Sequence, residues 1–248
     1  MSVKTSIIFG DNDRKTDFLD DENLTVEDKE LKLIEEFKKI GISDFEKCYI
    51  SKETAFERWG SKAEEYSKKI QDIINEVKGL VIKYENKPIL AVYHAISFGT
   101  TESAENVWGR AYPYLVPVSS EGDKLCEDYL TTFEITPENL KQKFGGEITL
   151  SGDAQNYFSN IKKTQSGTVE TVTVCGNEIN GSKIRNLLDL RSSNFDIKYQ
   201  NEKFVFSEYG YGHSVGMSQN GANYMAKQGA DFKEILTHYY KNCVIEKE

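Results

Sequence analysis

The 248-residue chain predicts an α+β fold built mostly from antiparallel strands. Apolar residues recur at helical spacing in segments that open on capping residues and stop at glycine. Short alternating runs lie next to one another with only turn residues between them, which is the pattern of antiparallel pairs. No dinucleotide-binding glycine fingerprint follows a strand, and no internal repeat is visible.

Thr25 stands three residues before Asp28 in a box-like helix start, Leu33, Phe37 and Ile40 follow at helical spacing, and Gly41 supplies the stop. This reads as an amphipathic helix with a solvated charged face in an acidic segment. A second helix is expected from Ser61, its cap, with Glu64 closing the capping box and Tyr66, Ile70, Ile73, Ile74 and Val77 on one stripe; Gly79 ends it. Leu80–Tyr84 and Ile89–Tyr93 then read as a strand pair around a Glu85-Asn86-Lys87-Pro88 turn. The stretch from Ser97 to Thr136 is long and poorly periodic. Its Trp108, Tyr112, Tyr114 and Leu115 argue for packing, hence for function. Pro137 at a first helical position opens a short helix that Gly145-Gly146 closes. Strands are expected at Thr168–Cys175, with a turn at Gly176-Asn177, and at Phe195–Tyr199 and Lys203–Phe206 around Gln200-Asn201-Glu202. Asn180-Gly181-Ser182 leads into a helix over 183–188. A helix near Ser218–Gln228 and a last one capped by Asp231, with Phe232, Ile235, Leu236 and Tyr239 on its stripe, complete the chain.

Composition narrows the function classes. Thirty-one basic against 40 acidic residues give a net charge of −9, so no basic excess exists to release counterions from nucleic acid or anionic membrane. The 38% of hydrophobic and 12% of aromatic residues suffice for a packed core and disfavour disorder. Cys48, Cys126, Cys175 and Cys243 lie far apart, which indicates neither a zinc knuckle nor a disulfide framework, and no metal or cofactor is expected. No run approaches the length of a membrane span, and the first residues lack the apolar region of a secretory signal, so the chain reads as soluble. Serine-hydrolase, nucleotide-binding and zinc-protease motifs are missing.

Two segments remain that could carry chemistry. In the run from Tyr209 to Ala222, glycines at nearly every second or third position surround His213 and feed into a helix start at Ser218 and Gln219. That places an imidazole and polar side chains beside the free N–H groups of a helix N-terminus, a setting suited to a polar or anionic ligand. In the run from Tyr93 to Gly109 a strand passes into a polar loop with Glu102, Glu105 and Trp108. Carboxylates and hydroxyls with an aromatic ring suit a sugar. Taken alone, each segment also has a plain reading: a core histidine in a tight glycine turn for His213, a strand-core histidine for His94, and capping or surface carboxylates for the glutamates.

Together and in this order, the two segments resemble the stage II sporulation protein D family. Gly210-Tyr211-Gly212-His213-Ser214-Val215-Gly216-Met217-Ser218-Gln219-Asn220-Gly221-Ala222 is similar to the family's glycine-aromatic-glycine-histidine signature, and Tyr93 to Gly109 to its aromatic-histidine-serine signature ending in Thr-Glu and a tryptophan. The resemblance spans about residues 50–248, so 51–248 is expected to be a sporulation protein D-like domain and 1–50 a divergent acidic and helical segment. It implies a peptidoglycan lytic transglycosylase acting in engulfment: cleavage between muramyl and glucosaminyl sugars without water, one carboxylic acid serving first as acid and then as base. It further implies glycan strands and engulfment-machinery proteins as partners, and an extracytoplasmic address between mother cell and forespore.

The chain departs from the family in four places. The family's catalytic glutamate lies in an S/A-E-M-P segment followed by an alanine-rich helix, and no such run occurs between Met1 and Tyr49, where the family's anchor is also missing. Ser214 replaces a usual glycine, Asn220 a usual tyrosine, and Phe98 a usual small residue. Three readings stay open: a paralogue or incomplete gene product that binds glycan without cleaving it, recruitment of Glu102 as the acid, or supply of the missing helix by a partner. The expected site is therefore Glu102 as the catalytic candidate, with His94, Ser97, Thr101, Trp108, Tyr211, His213, Ser218 and Gln219 binding sugar. It requires two stretches more than a hundred positions apart to meet in one groove.

Overall fold

The structure, a computed structural model, describes residues 51–247. The helix expected from Thr25 to Gly41, the segment 1–50 and Cys48 lie outside the described residues. The chain divides into two compact units, one ending at Leu80 and one running from Val81. In the first, α1 (Lys52–Trp59) is capped by Ser51, whose hydroxyl accepts the Thr54 amide at 3.2 Å. Gly60, with φ +53, ends it, and a single 3-10 turn leads into α2 (Ala63–Val77). Ser61 thus sits inside the turn and caps nothing, because the chain arrives already helical. The expected stripe exists, but Ile70, Ile73, Ile74 and Val77 are all exposed.

The second unit holds all but the first residue of β1 (Leu80–Tyr84), then β2 (Lys87–Pro88), β3 (Tyr93–His94) and the short α3 (Ala104–Trp108). Two 3-10 turns over 121–129 precede β4 (Leu130–Ile135) and α4 (Pro137–Phe144). There follow β5 (Phe158–Lys163), β6 (Val169–Val174), β7 (Asn177–Asn180), α5 (Gly181–Leu188), β8 (Phe195–Gln200) and β9 (Lys203–Tyr209). The chain closes with β10 (Met217–Ser218), α6 (Gln219–Lys227), α7 (Phe232–Tyr239) and β11 (Val244–Lys247). The strands form sheets in the orders β11-β1-β2, β4-β9-β8 and β5-β6-β7, and a two-stranded sheet of β10 with β3. Among the described residues, β1 pairs with β2, β4 and β8 with β9, and β5 and β7 with β6, all antiparallel, while β10 pairs with β3 in parallel, so the α+β expectation holds.

Three hairpins turn more tightly than their sequences suggest. The residues between paired strands are Glu85-Asn86, Cys175-Gly176 and Asn201-Glu202, all with positive φ. Two residues of that kind match the right-handed twist of the strands they join, which two-residue turns with negative φ do not. Pro88 therefore falls in an edge strand rather than a turn, where its missing N–H costs no ladder bond. The strand expected after it does not continue the hairpin: residues 93–94 leave to pair in parallel with Met217 and Ser218.

Two apolar clusters flank the site. One joins Leu140 and Phe144 of α4, Val169, Val172 and Val174 of β6, Ile184 and Leu188 of α5, and Phe195, Phe204 and Phe206 of the β4-β9-β8 sheet. The other joins Ala104, Tyr114, Leu115, Val215, Ile235, Tyr239 and Tyr240. Both count as full cores, since each residue named is at least nine-tenths buried. No helix among the described residues is long and apolar enough to cross a membrane.

Candidate functional site

The site begins with the glycine-rich run, which is threaded between two other segments. Ile96 and Tyr211 exchange backbone hydrogen bonds at 3.1 and 2.7 Å. The Glu102 amide donates to Ser214 O at 2.7 Å, and Met217 and Ser218 pair with Tyr93 and His94. On its other flank, Gly212 donates to Arg191 O at 2.9 Å. Glycine is required by the closeness of these contacts: a Cβ on Gly216 would stand 2.1 Å from Val92 O, and one on Gly210 2.6 Å from Ile96 O, both at positive φ. The two stretches singled out in the sequence are therefore neighbours, joined backbone to backbone.

A carboxylate that sequence reasoning missed ties them together. Asp123 is fully buried (0% exposed). Its Oδ2 accepts the Ser97 amide at 2.7 Å and the Ser97 hydroxyl at 2.5 Å, and its Oδ1 accepts the Ser218 hydroxyl at 2.6 Å. The same Ser218 oxygen caps α6 by accepting the Gly221 amide at 3.2 Å. Asn220, where the resembled signature has tyrosine, adds a clip from its Nδ2 to Ala95 O at 3.0 Å.

Glu102 is fully buried too (0% exposed). Its Oε1 accepts the Ser103 amide at 2.8 Å and Asn106 Nδ2 at 2.9 Å, and its Oε2 accepts the Thr164 hydroxyl at 2.6 Å. Asn106 and Thr164 in turn line a cleft together with Thr168, Val169, Asn180, Ser182, Arg185, Gly212, His213 and Ser214. The carboxylate lies behind this lining, holding α3 to the β5–β6 connection. Ser214 takes φ +61 there, the conformation for which glycine is the easier residue.

Of the residues expected to bind sugar, His213 lines the cleft directly. Trp108 is 43% exposed, with its ring 5.2 Å from that of His213; Tyr211 is 48% exposed, beneath the Arg191 guanidinium at 4.5 Å. Gln219 is exposed at the start of α6. Ser97, Thr101 and Ser218 are buried, and their hydroxyls are taken up inside the protein, Thr101 by the Val118 amide at 2.9 Å. Thr164, Asn106 and Arg185 are the cleft residues that local sequence did not single out. Asn106 lies within the run from Tyr93 to Gly109, but no motif surrounds Thr164 or Arg185, and only the fold brings the three together.

The two histidines are neutral and oppositely arranged. His94, 4% exposed, hydrogen-bonds Val215 O through Nδ1 at 3.1 Å, so that nitrogen carries the proton and Nε2 is buried without a partner. His213 Nδ1 instead accepts the Val215 amide at 3.1 Å. Burial pushes the His94 pKa down to about 4, with His213 nearby adding to the effect and the Val215 bond opposing it. Burial first, and then the Arg185 charge, also lower the pKa of His213, against a backbone hydrogen bond at Tyr93.

These features generate two expected outcomes. Asp123→Ala leaves three buried donors without an acceptor, so it lowers unfolding free energy by about 3 kcal/mol or more, measured by urea denaturation. Asp123→Asn retains one acceptor oxygen and costs less; equal stability of all three proteins contradicts the assignment. The second outcome concerns pH. Below its ordinary pKa the unfolded chain protonates His94 while the folded protein does not, so folding weakens as pH falls from about 6.5 towards 4. The loss across that window is on the order of 3 kcal/mol, and His94→Gln has a correspondingly flatter pH profile. A profile with the same slope in both proteins contradicts it.

No protein-family model matches the chain. Whole-sequence comparison does find relatives. Stage II sporulation protein D of Bacillus amyloliquefaciens is 38% identical over 200 residues, 80% of this chain and 57% of that protein. Stage II sporulation protein D of Bacillus subtilis is 35% identical over the same shares. The amidase enhancer of Bacillus subtilis is more distant, 22% identical over 77% of this chain and 34% of its own length. The chain thus spans little more than half the length of the sporulation proteins it matches. Identity at this level across four-fifths of the chain makes it a homologue of these stage II sporulation protein D proteins.

Proposed function

We propose that this domain has a sporulation-related role at the cell wall, and that its cleft binds a peptidoglycan glycan strand without cleaving it unaided. The observation that carries the reading is the setting of Glu102. A general acid must present its proton to the glycosidic oxygen. This carboxylate has no exposed surface, and donors occupy both of its oxygens. All three groups donate to the carboxylate, so its oxygens are taken up inside the protein. Glu102 accordingly acts as a positioning residue, fixing Asn106 and Thr164 in the lining.

The rest of the site suits a neutral, hydroxyl-rich polymer. Asn106, Thr164, Thr168, Asn180 and Ser182 offer amide and hydroxyl groups, and His213 an imidazole held neutral. Trp108 and Tyr211 supply exposed rings for the apolar faces of sugars. His94, Ser97, Thr101 and Ser218 form the frame behind them. The names of the relatives, sporulation protein D and amidase enhancer, support a cell-wall setting. Glycan strands are the proposed ligand, with engulfment-machinery proteins as further partners in an extracytoplasmic compartment.

Incubation with purified glycan strands tests the proposal, with binding measured by co-sedimentation and products analysed for anhydro-muramyl ends. Binding without anhydro ends is expected, and Glu102→Gln, which loses an acceptor for its three donors, weakens binding about tenfold through a loosened lining. Anhydro-ended products from the unaltered protein that vanish in Glu102→Gln would make Glu102 the acid after all. Absence of binding removes the glycan reading.

A further inference from the structure

One cleft residue has a charge that a neutral sugar does not require. Arg185 stands on α5, whose Ile184 and Leu188 point into the apolar core. The helix sits hard against β6: a Cβ on Gly181 would meet Val169 O at 2.1 Å. That packing fixes the helix, and with it the direction of Arg185, which lines the cleft beside Ser182, Asn180 and His213.

The guanidinium is half-buried and incompletely used. Its Nε donates to Leu190 O at 3.2 Å, which leaves the two terminal amino groups. Among the described residues no carboxylate forms an ion pair with it; Glu208 and Tyr211 act on it only at longer range. Glu208 is itself buried and engaged by the Arg191 amide. Glu170, the carboxylate on the cleft lining, is exposed on β6 and within the field of Lys162. Burial of an arginine without its counter-ion is costly, and the cost recurs at every folding event. The start of α5 adds to the imbalance: Asn180 makes no side-chain cap, so the first-turn N–H groups lack one partner. Nothing in the lining neutralises either feature, and both favour an anion.

We infer that Arg185 recognises a carboxylate borne by the bound glycan, paired to its two free amino groups. The inference rests on the glycan reading above and deepens it. A glycan strand offers such a group in two chemical forms. One is the ether-linked lactyl carboxylate of a muramyl sugar without its peptide; the other is the set of carboxylates on an attached peptide. A polymer of N-acetylglucosamine alone offers none. Arg185 thereby separates wall glycan from neutral polymers of the same backbone, a distinction the hydroxyl and amide groups of the lining do not make. The planar fork of arginine fits a carboxylate through two parallel hydrogen bonds, which lysine does not reproduce.

Binding of the full chain is measured by calorimetry to four probes: glycan strands stripped of peptide, strands with peptide attached, stripped strands whose carboxyl groups are converted to amides, and an N-acetylglucosamine hexamer. Carboxylate-bearing strands are expected to bind at least about tenfold tighter than the amidated strands and the hexamer. The stripped or the peptide-bearing strand binding better identifies which carboxylate is read. Arg185→Gln abolishes the preference while hexamer binding persists, and Arg185→Lys restores only part of it. The amidated probe keeps the inference testable on the unaltered protein should the variants fold poorly. Equal binding of carboxylate and amidated strands, or an undiminished preference in Arg185→Gln, overturns the role of Arg185 and leaves the glycan reading standing. Binding to none of the probes removes both.

Discussion

The buried Asp123 carboxylate is the constraint on which the site depends. A charge with 0% exposure is tolerated only where donors replace the lost water. Here Ser97 supplies its amide and hydroxyl, and Ser218 its hydroxyl at the cap of α6, where the helix start also favours an anion. These donors come from segments 121 positions apart, so satisfying one carboxylate forces the strand at 93–94, the glycine run and the helix after it into a single arrangement. The parallel pairing of β3 with β10 is short, two residues on each side, and would hold little by itself. The carboxylate makes that weak pairing specific.

Close approach is the other half of the arrangement. The glycine run lies so near residues 92–97 that side chains at 210 and 216 would strike backbone carbonyls. What the glycines give up in unfolded-chain entropy is offset by the backbone hydrogen bonds their small size allows. The result is a thin partition with His94 behind it and His213 in front, their rings 5.8 Å apart. Both imidazoles are held neutral by burial, and Glu102 braces the neighbouring wall. Positive charge in the lining is thereby left to Arg185.

Much of this was legible from residue order. The stripes of α2 and α7, the proline at the start of α4, the strand pairs, and the two long motif segments are all local patterns. Periodicity and turn chemistry report such patterns directly. Hairpin turns were misplaced by a residue or two because Glu85 and Cys175 do not advertise positive φ. The strand at Leu130–Ile135 was hidden in a long stretch read as loop: its burial alternates residue by residue, but Leu130 lies on the exposed face and Thr131 on the inner one, so apolar and polar residue types do not follow that alternation. The helix Lys52–Trp59 escaped notice for a similar reason: its charged residues leave one buried position, Ala55. Within the site, His213 carries a glycine signature. Asp123, Thr164 and Arg185 carry none, because each earns its place from a partner far away in the chain. The burial of Ser97, Thr101, Glu102 and Ser218 likewise depends on those partners.

The central claim is that residues 93–103 and 209–221 behave as one ligand-binding unit. Amide hydrogen exchange, followed with and without purified glycan strands, tests it most directly. The account predicts that both stretches gain protection together as strands are added, and to the same saturation point. Protection confined to one stretch, or gained by the two at different strand concentrations, contradicts it.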